Sequence, residues 1–461
     1  MNTNRVLLIR IPSLASAAIG YPLGLAYLGG SLESNHIPVQ IIDGAVQKFT
    51  ADQLIRQTSR FRPTIIGFGA ATHEIPAVTA LAKLLRQHFP DCLFIIGGPH
   101  VSALPAHTLR RSCFDLAVIG EGESAVTDIV NAYPKTKQLS AIPGIAFKKK
   151  NQIILTKPRP PIANLNHLPL PAYHLLPPFR FYRSSPGSHQ RFPVAGIITA
   201  RGCPSSCTFC CHAVFGKHAR FRHPASVVSE IEILIKRFGA REIRFWDDTF
   251  NLNPDRAIQI CRLIRKRRLV FPWTCQCRVN YVNLPLLEEM KKSGCWQISY
   301  GIESGSQPIL NLARKGITLK MIRRAVTMTK KAGIETKGFF VLGLPGETPA
   351  TAAKTIDFAK KLDLDLATFA VIIPFPGTQI WTQAIREHRL QAVSFDNYTP
   401  EVKDRLAYTP PGLTAKELFA LRSKAYRQFY RRPKIIGGEL KKIRDWPSLK
   451  NRLQGFFMSQ V

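Results

Sequence analysis

The chain has 461 residues, 45% of them hydrophobic, which is enough for two or three domains and excludes a wholly disordered chain. No run of about 18 uncharged apolar residues occurs, and this excludes an ordinary transmembrane helix. The formal charge of +34 is uneven, because residues 1–130 carry a net charge of +1 and residues 131–461 carry +33. A concentrated charge of this size would favour an anionic partner, but the scattered Lys and Arg residues are more typical of a solvated basic surface.

The N-terminus superficially resembles a signal peptide. Arg10 and Pro12 interrupt it, however, and leave an apolar stretch of only four residues, which is too short for such a peptide. The ten cysteines also lack the spaced pairs of a secreted disulfide framework. We therefore expect a buried first strand and a cytoplasmic protein.

Residues 1–140 alternate short apolar runs with amphipathic stretches such as TADQLIRQTSRF and IPAVTALAKLLRQHF. The apolar runs are VLLIRI, VQIID, TIIGFG, CLFIIGG and DLAVIG. Continuous apolar strands separated by helices predict an α/β fold with a doubly wound, Rossmann-like or flavodoxin-like parallel sheet. Ligands of such sheets bind at the carboxyl ends of the strands, where this chain has GGPH (residues 97–100) and GEGE (residues 120–123). Ordinary strand-end turns would explain these glycines equally well.

Residues 141–192 are irregular and rich in proline, which predicts a linker between domains. Residues 193–388 contain six further strand patterns, near AGIITA, EIRFWD, WTCQCR, QISYGI, TKGFFVLG and TFAVII. Six successive βα units predict a complete or partial parallel barrel with its active site on the loops after the strands. Residues 389–461 are predicted to be basic and mostly helical, and Thr414 and Pro433 mark the start and stop of the clearest helix.

Four of the ten cysteines lie within RGCPSSCTFCC, directly after the first predicted barrel strand. Cys203, Cys207 and Cys210 have the spacing C-x3-C-x2-C. Three thiolates from one loop can hold three irons of a 4Fe–4S cube. The fourth iron then has no protein ligand, which leaves an open position for a substrate or cofactor.

A structural zinc site would need a second pair of cysteines. Cys275 and Cys277 are separated by a single residue, which is poor spacing for such a pair. Cys211 is predicted to be a bystander to the cluster. The cysteines outside the cluster loop are predicted to be small buried hydrophobic residues: Cys92, Cys113, Cys261, Cys275, Cys277 and Cys295.

The cysteine motif, with the aromatic Phe209 before its third cysteine, resembles that of the radical S-adenosylmethionine (SAM) enzymes. The resemblance to these enzymes continues in motifs at the ends of the later strands: FWDDTF (residues 245–250), GIESGS (301–306), GFFVLGLPGET (338–348) and PFPGT (374–378). YPLGLAYLGGSL, IIGGPH and VIGEGES in residues 1–140 are similar to the cobalamin-binding domain of one subgroup. The resemblance covers nearly the whole chain and implies three cofactors, a 4Fe–4S cluster, SAM and cobalamin.

In such enzymes the reduced cluster cleaves SAM to a 5′-deoxyadenosyl radical, which takes hydrogen from an unreactive carbon, while the protein positions the cofactors. The resemblance implies that the cluster ligands are Cys203, Cys207 and Cys210. It implies contacts with the cluster or SAM for Phe209, Asp247, Asp248, Arg278, Glu303, Ser304, Gly343 and Gly346. Contacts with cobalamin are implied for Gly97, Gly98, His100, Gly120 and Glu121.

Simpler explanations stay open for several of these residues. Asp248 would also suit the N-cap of a helix that starts near Pro254. Arg278 would also suit an exposed position that has no specific partner. His100 is more simply explained as a satisfied turn or surface residue. No D-x-H-x-x-G motif occurs, so either cobalamin binds without a protein histidine on its cobalt or the pocket has lost the cofactor.

The leading hypothesis is a cobalamin-dependent radical SAM enzyme that methylates an unactivated carbon. The alternatives are an oxidative cyclase or rearrangement enzyme of the same fold, a radical SAM enzyme without cobalamin, and an Fe–S or zinc scaffold that binds nucleic acid. The strand-end motifs disfavour the scaffold. The expected partners are an anionic or lipid-like small-molecule substrate and a low-potential electron donor such as ferredoxin or flavodoxin. The basic tail RRPKIIGGELKKIR predicts either peripheral membrane contact or a solvated helix face.

Overall fold

The computed structural model describes residues 4–12, 19–134, 136–184, 188–391, 394–399 and 406–440. The first sheet has the strand order β2-β1-β3-β4-β5-β6-β7, and its first five strands are parallel. Its strands are β1 (Val6–Arg10), β2 (Val39–Asp43), β3 (Ile65–Gly69), β4 (Leu93–Gly97), β5 (Leu116–Val118), β6 (Ile145–Lys149) and β7 (Gln152–Leu155). We call this sheet and its helices the first domain. The helices are α1 (Leu23–Ser34), α2 (Gly44–Gln47), α3 (Ala51–Phe61), α4 (Ile75–His88), α5 (Pro99–Ala103), α6 (Pro105–Arg110) and α7 (Glu123–Ala132).

The five parallel strands are buried on both faces. In β1, Val6 and Leu8 pack into one apolar core, whereas Leu7 and Ile9 pack into another on the opposite side. This arrangement explains why the strands are continuous apolar runs rather than alternating ones. The predicted doubly wound sheet is confirmed.

Strands β6 and β7 differ from the sequence analysis, which assigned their residues to the linker. They extend the first sheet in antiparallel fashion next to β5, with Leu116 opposite Phe147 and Ala146 opposite Leu155. Their basic loop and the proline-rich segment that follows hid the strand pattern. The linker therefore starts after Leu155 and not at residue 141.

The second sheet is the barrel, with the order β15-β14-β13-β12-β11-β8 and every described pair parallel. The strands of this half are β8 (Val194–Ile197), β9 (Ala200–Arg201), β10 (Arg220–Phe221), β11 (Glu242–Phe245), β12 (Trp273–Cys277), β13 (Cys295–Glu303), β14 (Glu335–Leu342) and β15 (Leu366–Val371). The helices are α8 (Pro224–Lys236), α9 (Pro254–Lys266), α10 (Leu284–Lys292), α11 (Gln307–Leu312), α12 (Leu319–Lys331), α13 (Pro349–Lys361) and α14 (Gln379–Arg386). Strands that are consecutive in this order are neighbours, and the two edge strands, β15 and β8, do not pair with each other in the described part of the chain. The sheet is therefore a partial barrel, as predicted.

Two helices follow the barrel, α15 (Ala415–Tyr430) and α16 (Pro433–Leu440). Thr414 and Glu417 form a reciprocal capping box at the start of α15, which confirms the predicted N-cap. Pro433 begins α16 rather than only ending α15. Residues 441–461 of the predicted basic tail lie outside the described part of the chain. In that part, every helix is too short or too polar to cross a membrane.

The segment between the two sheets joins them into one apolar core. It includes single 3₁₀ turns at Leu165–His167, Tyr173–Leu175 and Phe179–Phe181. The ring of Tyr21 stacks on Phe179, and its hydroxyl bonds the backbone of Gly196 in β8. This packing fixes the orientation of the strand ends of the first sheet relative to the strand ends of the barrel.

Candidate functional site

The carboxyl ends of the first-domain strands open into a cavity of about 390 Å³. Gly97, Gly98, Gly120 and Glu121 line it, in agreement with their predicted position. Gly98 has φ +108°, and a Cβ there would lie 2.7 Å from the carbonyl oxygen of Ala70. Only glycine therefore allows the two loops to approach each other at this wall.

The cavity is mostly apolar, and the residues that line it within the described ranges include no histidine. Residues 13–18, which lie outside the description, are Ser, Leu and Ala in the sequence. Glycine loops at strand ends fit a large cofactor held by close backbone contact. The glycine loops would therefore hold cobalamin by backbone contact, and the described lining residues would offer it no imidazole.

His100 does not line the cavity, although we predicted a contact with the cofactor. Its side chain is buried, Nδ1 lies 3.2 Å from Thr72 Oγ1, and its ring packs on Phe395. Burial and the nearby His107 lower its pKa to about 4. The ring is therefore buried and neutral, and the predicted alternative of a satisfied turn or surface residue is also wrong, because Nε2 has no hydrogen-bond partner among the described residues.

The cluster cysteines lie in residues 202–219, which we call the cysteine loop, at the carboxyl end of β8. Thr208 fixes the loop to the barrel, because its N–H donates to Ala313 O at 3.0 Å and its carbonyl accepts from Ile380 N–H at 3.1 Å. Cys207 is buried, whereas Cys210 and Cys211 are exposed. Among the described residues, no three His, Cys, Asp or Glu side chains could share one metal ion. A cube in which each thiolate binds its own iron needs no such group.

Positive charge surrounds Cys207. Its thiol accepts from Arg278 Nη1 at 3.7 Å. A hydrogen bond with the Cys210 thiol, together with the charges of Lys315 and Arg278, outweighs burial and lowers the pKa of Cys207 to about 5. The same hydrogen bond and burial raise the pKa of Cys210. The thiolate is the form of cysteine that binds metal ions, so the lowered pKa is compatible with the predicted ligand role of Cys207.

Arg278 is buried, so the predicted alternative of an exposed arginine is wrong. Its Nη2 donates to the carbonyl oxygen of Lys315. Lys315 in turn forms a buried ion pair with Glu303, with 2.6 Å between Nζ and Oε1, and lies 5.7 Å from the Phe209 ring centroid. Lys315 was not among the predicted site residues, because a lone lysine after α11 belongs to none of the strand-end motifs.

The two adjacent aspartates differ. Asp247 is buried, and its carboxylate accepts from the backbone N–H groups of Thr199 and Ala200 at 2.5 and 3.1 Å. Its other oxygen accepts from the Thr199 hydroxyl, so the carboxylate holds the turn before the cysteine loop and has no free oxygen for the predicted contact with the cluster or SAM. Asp248 is exposed at the surface of the site. The protein atoms packed around its carboxyl group exclude part of the solvent and raise its pKa. It does not cap α9, since Asn253 does so.

The loops after β13 and β14 pack against each other. Ser304 is fully buried, with Oγ 3.0 Å from Thr355 Oγ1, so it locks its own turn rather than facing a ligand. Gly343 and Gly346 have φ +89° and +81°, a conformation that favours glycine. Phe209 packs on an apolar cluster that includes Ile309 of α11, Leu344 after β14 and Ile380 of α14. This group closes one side of the cysteine loop.

Two domain families match the sequence. Residues 10–130 match the B12 binding domain, and residues 197–359 match the Radical SAM superfamily. An uncharacterized methyltransferase of Pyrococcus horikoshii is 35% identical over 446 residues, which cover 95% of this chain and 94% of the relative. The anaerobic magnesium-protoporphyrin IX monomethyl ester cyclase of Rubrivivax gelatinosus is 27% identical, over 89% of this chain and 73% of the cyclase.

Solved structures share the architecture. The radical SAM methyltransferase TsrM of Kitasatospora setae, with cobalamin and a [4Fe-4S] cluster bound, gives a TM-score of 0.72 at 19% identity, covering 94% of this chain and 90% of TsrM. The cobalamin-dependent radical enzyme OxsB, with aqua-cobalamin and SAM bound, gives a TM-score of 0.78 at 16% identity, covering 99% of this chain and 72% of OxsB. Together with the cysteine loop and the glycine-lined cavity, these matches confirm the predicted family and cofactors. The chain belongs to the cobalamin-dependent radical SAM enzymes, a family of methyltransferases and cyclases that use a 4Fe–4S cluster, SAM and cobalamin.

Proposed function

We propose that the chain methylates an unactivated carbon of a small-molecule substrate. The observation that carries this proposal is a shared wall: Arg201, Val214 and Phe215, which lie in or next to the cysteine loop, also line the first-domain cavity. When bound, the cluster and SAM supply a 5′-deoxyadenosyl radical, and cobalamin supplies a methyl carrier. A methyl donor and a radical generator that share a wall can serve the same substrate.

The chain's own residues would bind and orient the cofactors and shield the reactive carbon from water. Cys203, Cys207 and Cys210 would hold the cluster. Arg278 and Lys315 place two buried cations beside Cys207, which suits the carboxylate of SAM as well as the negative charge of the cluster. The apolar packing around Phe209 would keep water from the reactive carbon.

The partners follow from the exposure of the cysteine loop. Cys210 and Cys211 are exposed, so a small redox protein such as ferredoxin or flavodoxin would have access to the cluster. An acidic small molecule is the first class of substrate to screen, and a lipid-like substrate is the second. All ten cysteines are free thiols, which supports a reducing compartment such as the cytoplasm.

Oxidative cyclisation is the second candidate, because one relative is a porphyrin ester cyclase. SAM labelled on its methyl group separates the two reactions. Anaerobic, reconstituted protein would receive labelled SAM, cobalamin, a low-potential reductant and a panel of acidic and lipid-like substrates. We expect S-adenosylhomocysteine and a labelled product in addition to 5′-deoxyadenosine. A product that forms with 5′-deoxyadenosine but carries no label would contradict methylation and support cyclisation.

A further inference from the structure

The cysteine loop is closed at its base by two arginines. Arg201 ends β9, Arg220 begins β10, and the two residues lie opposite each other in an antiparallel pair. Both are buried, with exposed fractions of 3% and 6%. The loop that carries the cluster ligands therefore leaves and rejoins the barrel between two buried cations.

One carboxylate of the first domain binds both arginines. Glu121 Oε1 accepts from Arg201 Nη1 at 2.7 Å, and Oε2 accepts from Arg220 Nη1 at 2.6 Å. Glu123 accepts from Arg201 Nη2 at 2.5 Å. We call these four side chains the arginine–glutamate clamp. Loss of one partner would leave a buried charge without compensation, so the four groups hold one another in place.

The clamp also borders the cavity of the first domain. Glu121, Glu123 and Arg201 line the cavity, as do Val214 and Phe215 from the far part of the cysteine loop. Whatever fills the cavity therefore contacts the clamp and the loop together.

Short, stiff connections link this wall to the cluster ligands. Arg220 Nη2 donates to Phe215 O at 2.9 Å, and the Arg201 guanidinium lies 5.1 Å from the Phe215 ring centroid. Gly202 follows Arg201 with φ +86°, and a Cβ there would lie 2.3 Å from His218 O. This close approach brings the two ends of the cysteine loop together at Gly202, so a shift of Arg201 would displace the turn that precedes Cys203.

We propose that the arginine–glutamate clamp couples the two cofactor sites, so that cobalamin in the cavity favours the cluster-binding form of the cysteine loop. Coupling between binding sites is reciprocal, so the cluster must favour cobalamin binding by the same factor. Glu121, Glu123, Arg201 and Arg220 are thus positioning residues for both cofactors. The inference rests on the cofactor set and not on the reaction, so it would survive a failure of the methylation proposal.

The test compares cobalamin affinity in two forms of the full-length protein. Hydroxocobalamin would be titrated anaerobically into cluster-free and cluster-reconstituted protein, with binding followed by absorbance. For the wild type we expect affinity to be at least about fivefold higher with the cluster present, the lower end of typical coupling. In Glu121→Gln the ratio of the two affinities should fall to about one, because a neutral amide with one acceptor oxygen cannot hold both arginines.

Glu242→Gln is the matched control. Its carboxylate is also buried and accepts from the backbone N–H groups of Gln190 and Arg191, but it lies at the amino end of β11, away from the cavity. The wild-type ratio should persist in this variant. If Glu121→Gln does not fold, Glu123→Gln removes only one bond to Arg201 and should give a reduced ratio.

Three results would overturn the coupling. The first is an affinity ratio of one in the wild type. The second is an affinity ratio in the Glu121 and Glu123 variants that equals that of the wild type. The third is a fall of the affinity ratio in Glu242→Gln as large as that in Glu121→Gln. Hydrogen exchange of residues 202–211 gives a second readout that does not depend on activity. Cobalamin should slow this exchange in the wild type and leave it unchanged in Glu121→Gln.

Discussion

Neighbouring cysteines of one loop have different surroundings. Cys207 is buried next to the guanidinium of Arg278, which stabilises its thiolate. Cys211 is exposed, and a Cβ at Gly377 would lie 3.0 Å from its sulfur, so it packs on the loop after β15. The surroundings thus distinguish Cys207 from Cys211, whereas Cys210 is exposed like Cys211 and is predicted to be a ligand from its spacing alone.

Replacement of the ligand cysteines tests this distinction. We expect Cys203→Ala, Cys207→Ala and Cys210→Ala each to abolish the broad visible absorption of the reconstituted cluster, because the cube loses one of its three protein ligands. Cys211→Ala is the matched control and should retain both absorption and iron content. Loss of the cluster in Cys211→Ala would show that the ligand assignment is wrong.

Glu347 predicts a pH dependence of stability. Burial raises its pKa from 4.5 to about 7, although the backbone N–H groups of Gly343 and Leu344 oppose the shift. An acid with a raised pKa in the folded state contributes stability below pH 4.5, and this stability is lost as the pH rises through 7. The full loss is about 3 kcal/mol by the usual conversion.

Thermal or urea unfolding at pH 5 and pH 8 would measure this effect against Glu347→Gln, which does not titrate. We expect the wild type to lose more stability than the variant between the two pH values. Parallel changes in the two proteins would contradict the raised pKa.

At the scale of residues, the sequence predicted positions better than roles. Motif spacing placed Asp247 and Ser304 at strand ends, but it carries no information on whether a side chain faces a ligand or its own turn. Both face inward and stabilise the backbone. Lys315 could not have been predicted, because only folding brings it to Glu303 and Phe209.

Among the elements, α15 covers the outer edge of the partial barrel. Phe429 is fully buried, its ring contacts Phe369 of β15, and the Tyr430 hydroxyl donates to Ala367 O at 2.8 Å. An edge strand covered by a helix is protected from pairing with another chain. The helix therefore belongs to the structural unit of the barrel rather than to a separate tail.

Truncation of this contact should be costly. We expect Phe429→Ala to lower the free energy of unfolding by about 3–5 kcal/mol, as for other fully buried phenylalanines. Ile436→Ala in α16 is the control, since Ile436 is 44% exposed and its loss should change stability by less than about 0.5 kcal/mol. Denaturant unfolding of both variants would measure the difference. Equal effects would mean that α15 does not stabilise the barrel.

Strand prediction succeeded where the apolar runs were long and failed where they were not. The five parallel strands of the first sheet and the six of the barrel were all identified from the sequence, since burial on both faces leaves an uninterrupted signal. β6 and β7 were missed, because β6 ends in two exposed lysines, β7 has no fully buried residue, and prolines follow β7. Only the pairing of β6 with β5, and of β7 with β6, reveals them as strands.

For the molecule as a whole, helix ends in the barrel explain part of the positive charge. Basic residues lie in the last turn of six of its described helices: Lys236 in α8, Arg265 and Lys266 in α9, Lys291 and Lys292 in α10, Lys330 and Lys331 in α12, Lys360 and Lys361 in α13, and Arg386 in α14. Cations are stabilising there because of the helix dipole. In a βα barrel these ends lie opposite the active-site loops, so net charge alone is no argument for an anionic substrate.

The central claim is that the cysteine loop holds a cluster that cleaves SAM reductively. Its most direct test is mass-spectrometric detection of 5′-deoxyadenosine after anaerobic incubation of reconstituted protein with SAM, cobalamin and a low-potential reductant. We predict that the wild type forms 5′-deoxyadenosine and that Cys207→Ala forms none above background. Formation by Cys207→Ala, or none by wild-type protein that carries its full iron content, would contradict the claim.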